Sequence, residues 1–275
     1  MRCLPSLQGR GWGWVAARFS RPARSRSGET HPQPLPCWEG RRWLLALVVV
    51  LGGAGRSGYD DAGPAVRAMQ DDDTVNPAML WVQQGEALWA DGCAGCHKGV
   101  ATMRGVAARY PVVEAGRVLT LAGRVNQCRT ERMHQPALPP DSEAMLALAA
   151  LVGMQSRGLP VAVADTGPAA PFVERGRTLF NTRMGQLNLS CAQCHDALAG
   201  QRLGGSRIPQ GQPNAYPLYR LEWQAMGSLD RRLRNCLTGV RAEPLPPDSP
   251  EMGALQLFLG VRANGLTVET PGVRP

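Results

Sequence analysis

Two pentapeptides of the form Cys-x-x-Cys-His, Cys93-Ala-Gly-Cys96-His97 and Cys191-Ala-Gln-Cys194-His195, stand 98 residues apart in a chain of 275. Two thiols one helical turn apart can both form thioethers with the vinyl groups of a single haem. The histidine that follows then falls beneath the iron as its proximal ligand. A zinc ribbon also uses Cys-x-x-Cys pairs, but it separates them by roughly 15–20 residues. A thioredoxin-like redox pair needs a strand–helix setting and no trailing histidine. A histidine on each of two widely spaced pairs therefore predicts two covalently bound haem c groups. Cys93, Cys96 and His97 would hold the first, and Cys191, Cys194 and His195 the second.

Such haems are attached outside the cytoplasm, and the front of the chain has the matching composition. Arg41-Arg42 precede the apolar run 43–51, and Gly52, Gly53, Ala54 and Gly55 follow it. A basic flank, a short apolar stretch and small residues make a secretory signal. Residues 1–57 thus read as a leader, cleaved between 53 and 60, and the folded part is expected in the periplasm. The forty residues before Arg41 exceed an ordinary n-region, so the expected translation start lies further downstream. Residues 1–57 hold nine of the arginines against Glu29 and Glu39, whereas the body is near neutral with Lys98 as its single lysine. That balance excludes a nucleic-acid footprint. A chain 44% hydrophobic and 19% charged is not disordered. No other apolar run approaches a membrane-spanning length, which excludes a polytopic membrane protein.

The body repeats itself. Residues 138–153 align without gaps on residues 245–260, with nine of sixteen positions identical. Ser142 and Ser249 are placed to cap helices, and apolar residues then recur at helical spacing. Gly85-x-x-Leu-Trp and Gly176-x-x-Leu-Phe open helices that run toward the two haem motifs, and about seven extra residues near 181–188 precede Cys191. Each half reads as helix, haem motif, irregular loop, helix. The expected fold is mainly α: two tandem cytochrome c domains, 58–160 and 161–275, joined by a Gly/Pro/Ala-rich linker over 158–171, with no strong strand signal.

Each half also carries a third cysteine, Cys128 or Cys236, 10 or 11 residues before the repeated Pro139 or Pro246. The two could form a disulfide, or each could be the second axial ligand of its own haem. Repeat symmetry favours ligation, because a disulfide would join corresponding points of different domains. His97 and Cys128 would then hold the first iron, and His195 and Cys236 the second, with Met133 and His134 as rivals to Cys128. A thiolate favours ferric iron, whereas methionine raises the potential, so a task other than high-potential electron carriage is expected. On a helix Arg232 shares a face with Cys236, where a guanidinium can hold an oxyanion and lower a thiol pKa. Arg231, Arg234 and Arg241 read as solvated residues or propionate partners. Met145 and Met252, at matching repeat positions, read as core. A dihaem electron carrier with methionine ligands and no substrate site is the alternative. A dihaem peroxidase would need an open distal position, which Cys236 argues against.

Asn235-Cys236-Leu-Thr-Gly-Val-Arg-Ala-Glu243 and Val125-Asn-Gln-Cys128-Arg129, together with both Cys-x-x-Cys-His motifs, resemble the SoxA family of dihaem cytochromes, from about residue 65 to the C-terminus. The resemblance implies a periplasmic complex with a monohaem cytochrome, SoxX. That complex acts as an L-cysteine S-thiosulfotransferase: it joins thiosulfate oxidatively to a cysteine of the carrier SoxYZ and passes electrons to an acceptor cytochrome c. Carried over, Cys236 would be the catalytic sulfur, held as a persulfide, and Arg232 would bind the thiosulfate oxyanion. Some relatives lack the first haem. This chain keeps Cys93, Cys96 and His97, so both haems are expected.

Overall fold

The computed structural model describes residues 55–275. The leader, with its apolar run at 43–51, lies outside the described residues save for its last three positions. Among the described residues no helix is long and apolar enough to cross a membrane.

Helices carry both halves, and short strands occupy the segments between them. After α1 (Pro64–Asp71), the first half runs α2 (Met79–Leu88), a π-helical turn (Trp89–Cys93) and α3 (Ala94–His97). A hairpin follows, β1 (Val112–Glu114) and β2 (Arg117–Leu119), then α4 (Leu121–Glu131) and α5 (Glu143–Met154). The second half runs α6 (Ala170–Asn181), a π-helical turn (Gln193–Ala197) and a small hairpin, β3 (Arg202–Leu203) and β4 (Ser206–Arg207). It continues with β5 (Leu218–Arg220), β6 (Ala225–Gly227), α7 (Leu229–Gly239), α8 (Pro250–Arg262) and β7 (Gly272–Arg274). The strands escape a sequence reading because each is two or three residues long, too short to show alternation. What reads as an irregular loop between motif and final helix therefore holds a hairpin and a helix in each half.

Local chemistry explains the helix starts. Ser142 accepts a hydrogen bond from Met145 N and Ser249 from Met252 N, while Thr120 and Ser228 cap α4 and α7 in the same way. Each cap satisfies one amide that the first helical turn leaves without a partner. Asp141 and Asp248, just before two of these caps, share a left-handed backbone (φ 58° and 59°), which aspartate tolerates better than most residues. The expected caps of the repeated segment are thus formed, and Met145 and Met252 are buried as expected.

Glycine sets the main helix crossings. α2 packs on α5 and α6 on α8. A Cβ at Gly85 would collide with the carbonyl oxygen of Ala147, and one at Gly176 with that of Ala254. The two glycines that open the repeated Gly-x-x-Leu-aromatic stretches therefore let each helix pair approach to backbone contact.

The hairpins cross over between the halves. Val113 and Val118 of the first hairpin pack on the core of α6 and α8, beside Phe180, Leu255 and Phe258. Met226 of β6 is buried in the core of α2 and α5, and Tyr219 of β5 packs against it with its ring 6.0 Å from that of Trp81. The strand β5 pairs antiparallel with β6 and parallel with β7. Asp141 binds Arg234 Nη2 at 2.9 Å and accepts from Ser228 N at 3.2 Å, a polar tie between the halves.

The segment 158–171 is not a loose tether. Gly158 N donates to Val268 O and Val161 N to Leu266 O, while Val163 and Asn264 exchange two hydrogen bonds. Val161 and Val163 are buried. Its glycines Gly158 and Gly167 are exposed and take left-handed backbone (φ 83° and 58°) with nothing within 4 Å of a Cβ, so they serve turns rather than close packing.

Candidate functional site

The second haem motif lies where α6 runs into the turn Gln193–Ala197. His195 Nδ1 donates to the carbonyl of Pro209 at 2.7 Å. That bond fixes the ring and its tautomer and leaves the Nε2 lone pair free for a metal. Gly211, at φ +71°, approaches the other side of the imidazole, where a Cβ would stand 3.1 Å from its Cγ. Burial holds the His195 pKa below the ordinary imidazole value; the Pro209 bond opposes this, and the Arg232 charge adds to it. Arg262 of α8 brackets the same loop. Its Nη2 donates to Asp196 Oδ1 at 2.7 Å and to Gln210 O at 3.4 Å, and its guanidinium lies 4.6 Å from the Phe180 ring centroid.

Cys236 sits on α7 over this motif. It is near enough to Cys191 that a thiolate at 236 raises the Cys191 pKa, which burial first pushes up to about 11. Cys128 on α4 stands in the same relation to Cys93, whose pKa is raised by burial and then by Cys128. All six described cysteines are free thiols. No disulfide joins Cys128 to Cys236, and the charge of Cys128 acts on Cys93 and that of Cys236 on Cys191, each within its own half.

The arginines of α7 separate by what they touch. Arg234 pairs with Asp230 at 2.7 Å and with Asp141 at 2.9 Å, and Arg231 stacks 4.3 Å from the Trp223 ring centroid. These two are structural, and Arg241 is exposed. Arg232, one turn before Cys236, has neither an ion pair nor a side-chain hydrogen bond among the described residues. Its charge acts on His195 and Tyr216.

The first motif is more open. His97 is exposed, 5.7 Å from the Trp89 ring, and its side chain has no hydrogen-bond partner among the described residues. A cavity of about 180 Å³ lies beside Cys93, lined among others by Leu88, Arg129, Met133 and Leu138. Met133 therefore lies at this site, whereas His134 is exposed and does not line the cavity.

The donor set suits covalent haem c: paired thiols on one turn, a histidine with an oriented ring, and a soft sulfur opposite. Among the described residues no group of three or more His, Cys, Asp or Glu side chains forms a cation cage. Sequence reasoning missed Pro209, Arg262 and Tyr216. The one available signal was the Tyr-Pro dipeptide, which occurs in each half at 110–111 and 216–217.

Helical halves built around Cys-x-x-Cys-His turns define a c-type cytochrome. The family model described as SoxA/TsdA, cytochrome c domain matches residues 79–161 and again 175–268. The L-cysteine S-thiosulfotransferase subunit SoxA of Rhodovulum sulfidophilum is 40% identical over 232 residues, covering 80% of each chain. Its counterpart in Paracoccus pantotrophus is 37% identical over 227 residues, covering 79% of this chain and 78% of that one. The crystal structure of SoxXA from P. pantotrophus superposes with a TM-score of 0.77 at 37% identity, covering 80% of this chain and 86% of that chain. The chain belongs to the SoxA family.

Proposed function

We propose that this chain is the dihaem, thiosulfate-conjugating subunit of an L-cysteine S-thiosulfotransferase, with Cys236 as its reacting sulfur and Arg232 as its oxyanion-binding residue. The observation that carries the reading is the state of Arg232. It is the α7 arginine that shares a helical face with Cys236, and among the described residues no carboxylate pairs with it, whereas Arg234 is doubly paired. The activity matches the relatives of this family, which bear that enzyme name.

The overall conversion joins the outer sulfur of thiosulfate to a thiol and releases one proton and two electrons. Two haem c groups, held by Cys93, Cys96 and His97 and by Cys191, Cys194 and His195, supply one-electron acceptance when bound; Cys128 and Cys236 complete the two ligand pairs. Arg232 offers parallel hydrogen bonds to the sulfonate oxygens and offsets the cost of bringing a dianion to a partly dehydrated site. The outer sulfur of thiosulfate would bond to the outer sulfur of a Cys236 persulfide as two electrons leave for the electron acceptors. Attack by the carrier thiolate on that thiosulfate sulfur would then break the new bond, forming the carrier adduct and restoring the persulfide.

The partners in this reading are a SoxX-like monohaem cytochrome, a SoxYZ-like carrier cysteine and an acceptor cytochrome c. The structural match to SoxXA supports the first of these. The location is periplasmic, reached through the leader, and the domains divide at about 160/161. The plain electron carrier is less well supported, because Met145 and Met252, its candidate ligands, line a cavity of about 760 Å³ whose walls include no residue of either Cys-x-x-Cys-His motif.

The test is thiosulfate conjugation to the carrier, followed by the mass of the carrier protein. The Cys236→Ala complex is expected to form no adduct while retaining both covalent haems by mass. An adduct formed at the wild-type rate would remove Cys236 from the chemistry.

A further inference from the structure

The repeat extends beyond the segments that align by sequence. Tyr110-Pro111 leads into β1, and Tyr216-Pro217 into β5. In the first hairpin Val112 pairs with Leu119, Val113 with Val118 and Glu114 with Arg117. In the second, Leu218 pairs with Gly227, Tyr219 with Met226 and Arg220 with Ala225. The caps Thr120 and Ser228 follow, and then come helices with Arg124 four residues before Cys128 and Arg232 four residues before Cys236. Tyr110 thus corresponds to Tyr216, Glu114 to Arg220, and Arg124 to Arg232.

The charges at these equivalent positions differ. In the first half Arg124 is saturated: it donates from Nε to Tyr110 Oη at 3.0 Å, to Gln127 at 2.8 Å, and pairs with Glu114. In the second half the place of that carboxylate is taken by a guanidinium. Arg220 is mostly buried. It pairs with Glu222, whose side chain is 63% exposed, and its Nε is buried without a partner. By the register of the two hairpins, Arg220 stands at the strand position from which Glu114 reaches Arg124 in the first half.

We infer that the residue at this strand position decides which half receives the anion: Glu114 closes the Cys128 side by neutralising Arg124, and Arg220 opens the Cys236 side to a sulfur oxyanion by leaving Arg232 unpaired and adding a second cation. Arg220 is a positioning and specificity residue, acting through Arg232 rather than on the reacting sulfur. A second guanidinium at that strand position suits a small dianion, and the repulsion between two cations is relieved when it binds. The inference rests on the proposed role of Cys236.

The experiment is steady-state conjugation by the haem-loaded complex with Arg220→Lys, Arg220→Gln and Arg220→Glu, read as KM for thiosulfate against kcat. The expected order is Lys near wild type, Gln raised a few-fold and Glu raised about tenfold or more, with kcat and the visible haem spectrum little changed. Added salt should shrink the differences. If Lys, Gln and Glu raise KM alike, Arg220 serves only to pack on Trp223, whose ring centroid lies 5.2 Å from its guanidinium, and the inference is overturned; an unchanged KM in Arg220→Glu overturns it too. Cys236→Ser, assayed in parallel, separates the two readings: conjugation that survives this change defeats the role of Cys236 whatever Arg220 does.

Discussion

At the scale of single residues, environment rather than identity separates the groups that act from those that hold. Arg231, Arg232 and Arg234 are neighbours in sequence, yet one stacks on an indole, one is locked between two aspartates, and one is left unpaired. The locked one has a measurable signature in Asp230. Burial raises the Asp230 pKa above the usual carboxylate value; Arg234 opposes this, while Asp141 and Asp248 add to it. A raised pKa means that the native protein holds this proton more tightly than the unfolded chain does. The stability contributed at Asp230 is therefore greatest below the unfolded value of 3.8 and falls as pH rises through the folded one. Asp230→Asn removes that fall. Measured by urea unfolding of the full chain, the stability of the variant relative to wild type should increase as pH rises from 3.8 through the raised folded-state value and level off above it. A constant difference across that range would mean that Asp230 does not titrate differently on folding. The haem-attachment residues were legible from sequence at this scale because their motif is contiguous. Pro209, which accepts from His195, and Tyr216, beside Arg232, were not. Each meets its partner across 14 or more residues of chain, a relation that only folding creates.

At the scale of elements, the repeat was legible where it is amphipathic and silent where it is short. The α5 and α8 segments announce themselves by serine caps and apolar periodicity. The hairpins do not, since a three-residue strand fixes no pattern and its partner residues are set by tertiary packing. The glycines at the helix crossings were visible as repeated letters, but their purpose was not. A methyl group at Gly176 would strike the Ala254 carbonyl and stand 2.6 Å from Phe258 Cβ, so α6 and α8 would have to separate. Overpacking of this kind costs roughly 1–3 kcal/mol. Gly176→Ala is expected to lower the thermal midpoint clearly, and Gly85→Ala to do likewise at the α2–α5 crossing. Gly63→Ala, where a Cβ meets nothing within 4 Å, should stay within about 0.5 kcal/mol of wild type. Equal effects at Gly63 and Gly176 would mean that helix proximity is not what these glycines serve.

At the scale of the whole molecule, the halves are interlocked rather than merely joined. Each lends a hairpin to the other's helical core, and the connection 158–171 is hydrogen-bonded to the turn at 264–268. Residues 161–275 expressed alone would expose Met226 and leave α8 without Val118. That fragment is expected to lack the cooperative thermal transition and near-ultraviolet dichroism expected of residues 55–275; a sharp transition in the fragment would refute the interlocking. Two haem motifs and a repeated helix told of two units, but the exchange between them was hidden, because nothing in a hairpin's own sequence names the core it will join. The exchange has an evolutionary consequence. The pigment of the N-terminal unit and the polypeptide around it answer to different constraints. A lineage could shed Cys93, Cys96 and His97 and so give up one redox centre. It could not delete α2, α5 and the first hairpin, because the C-terminal half would lose part of its own interior. Loss of the chromophore with retention of the shell is the path this architecture leaves open.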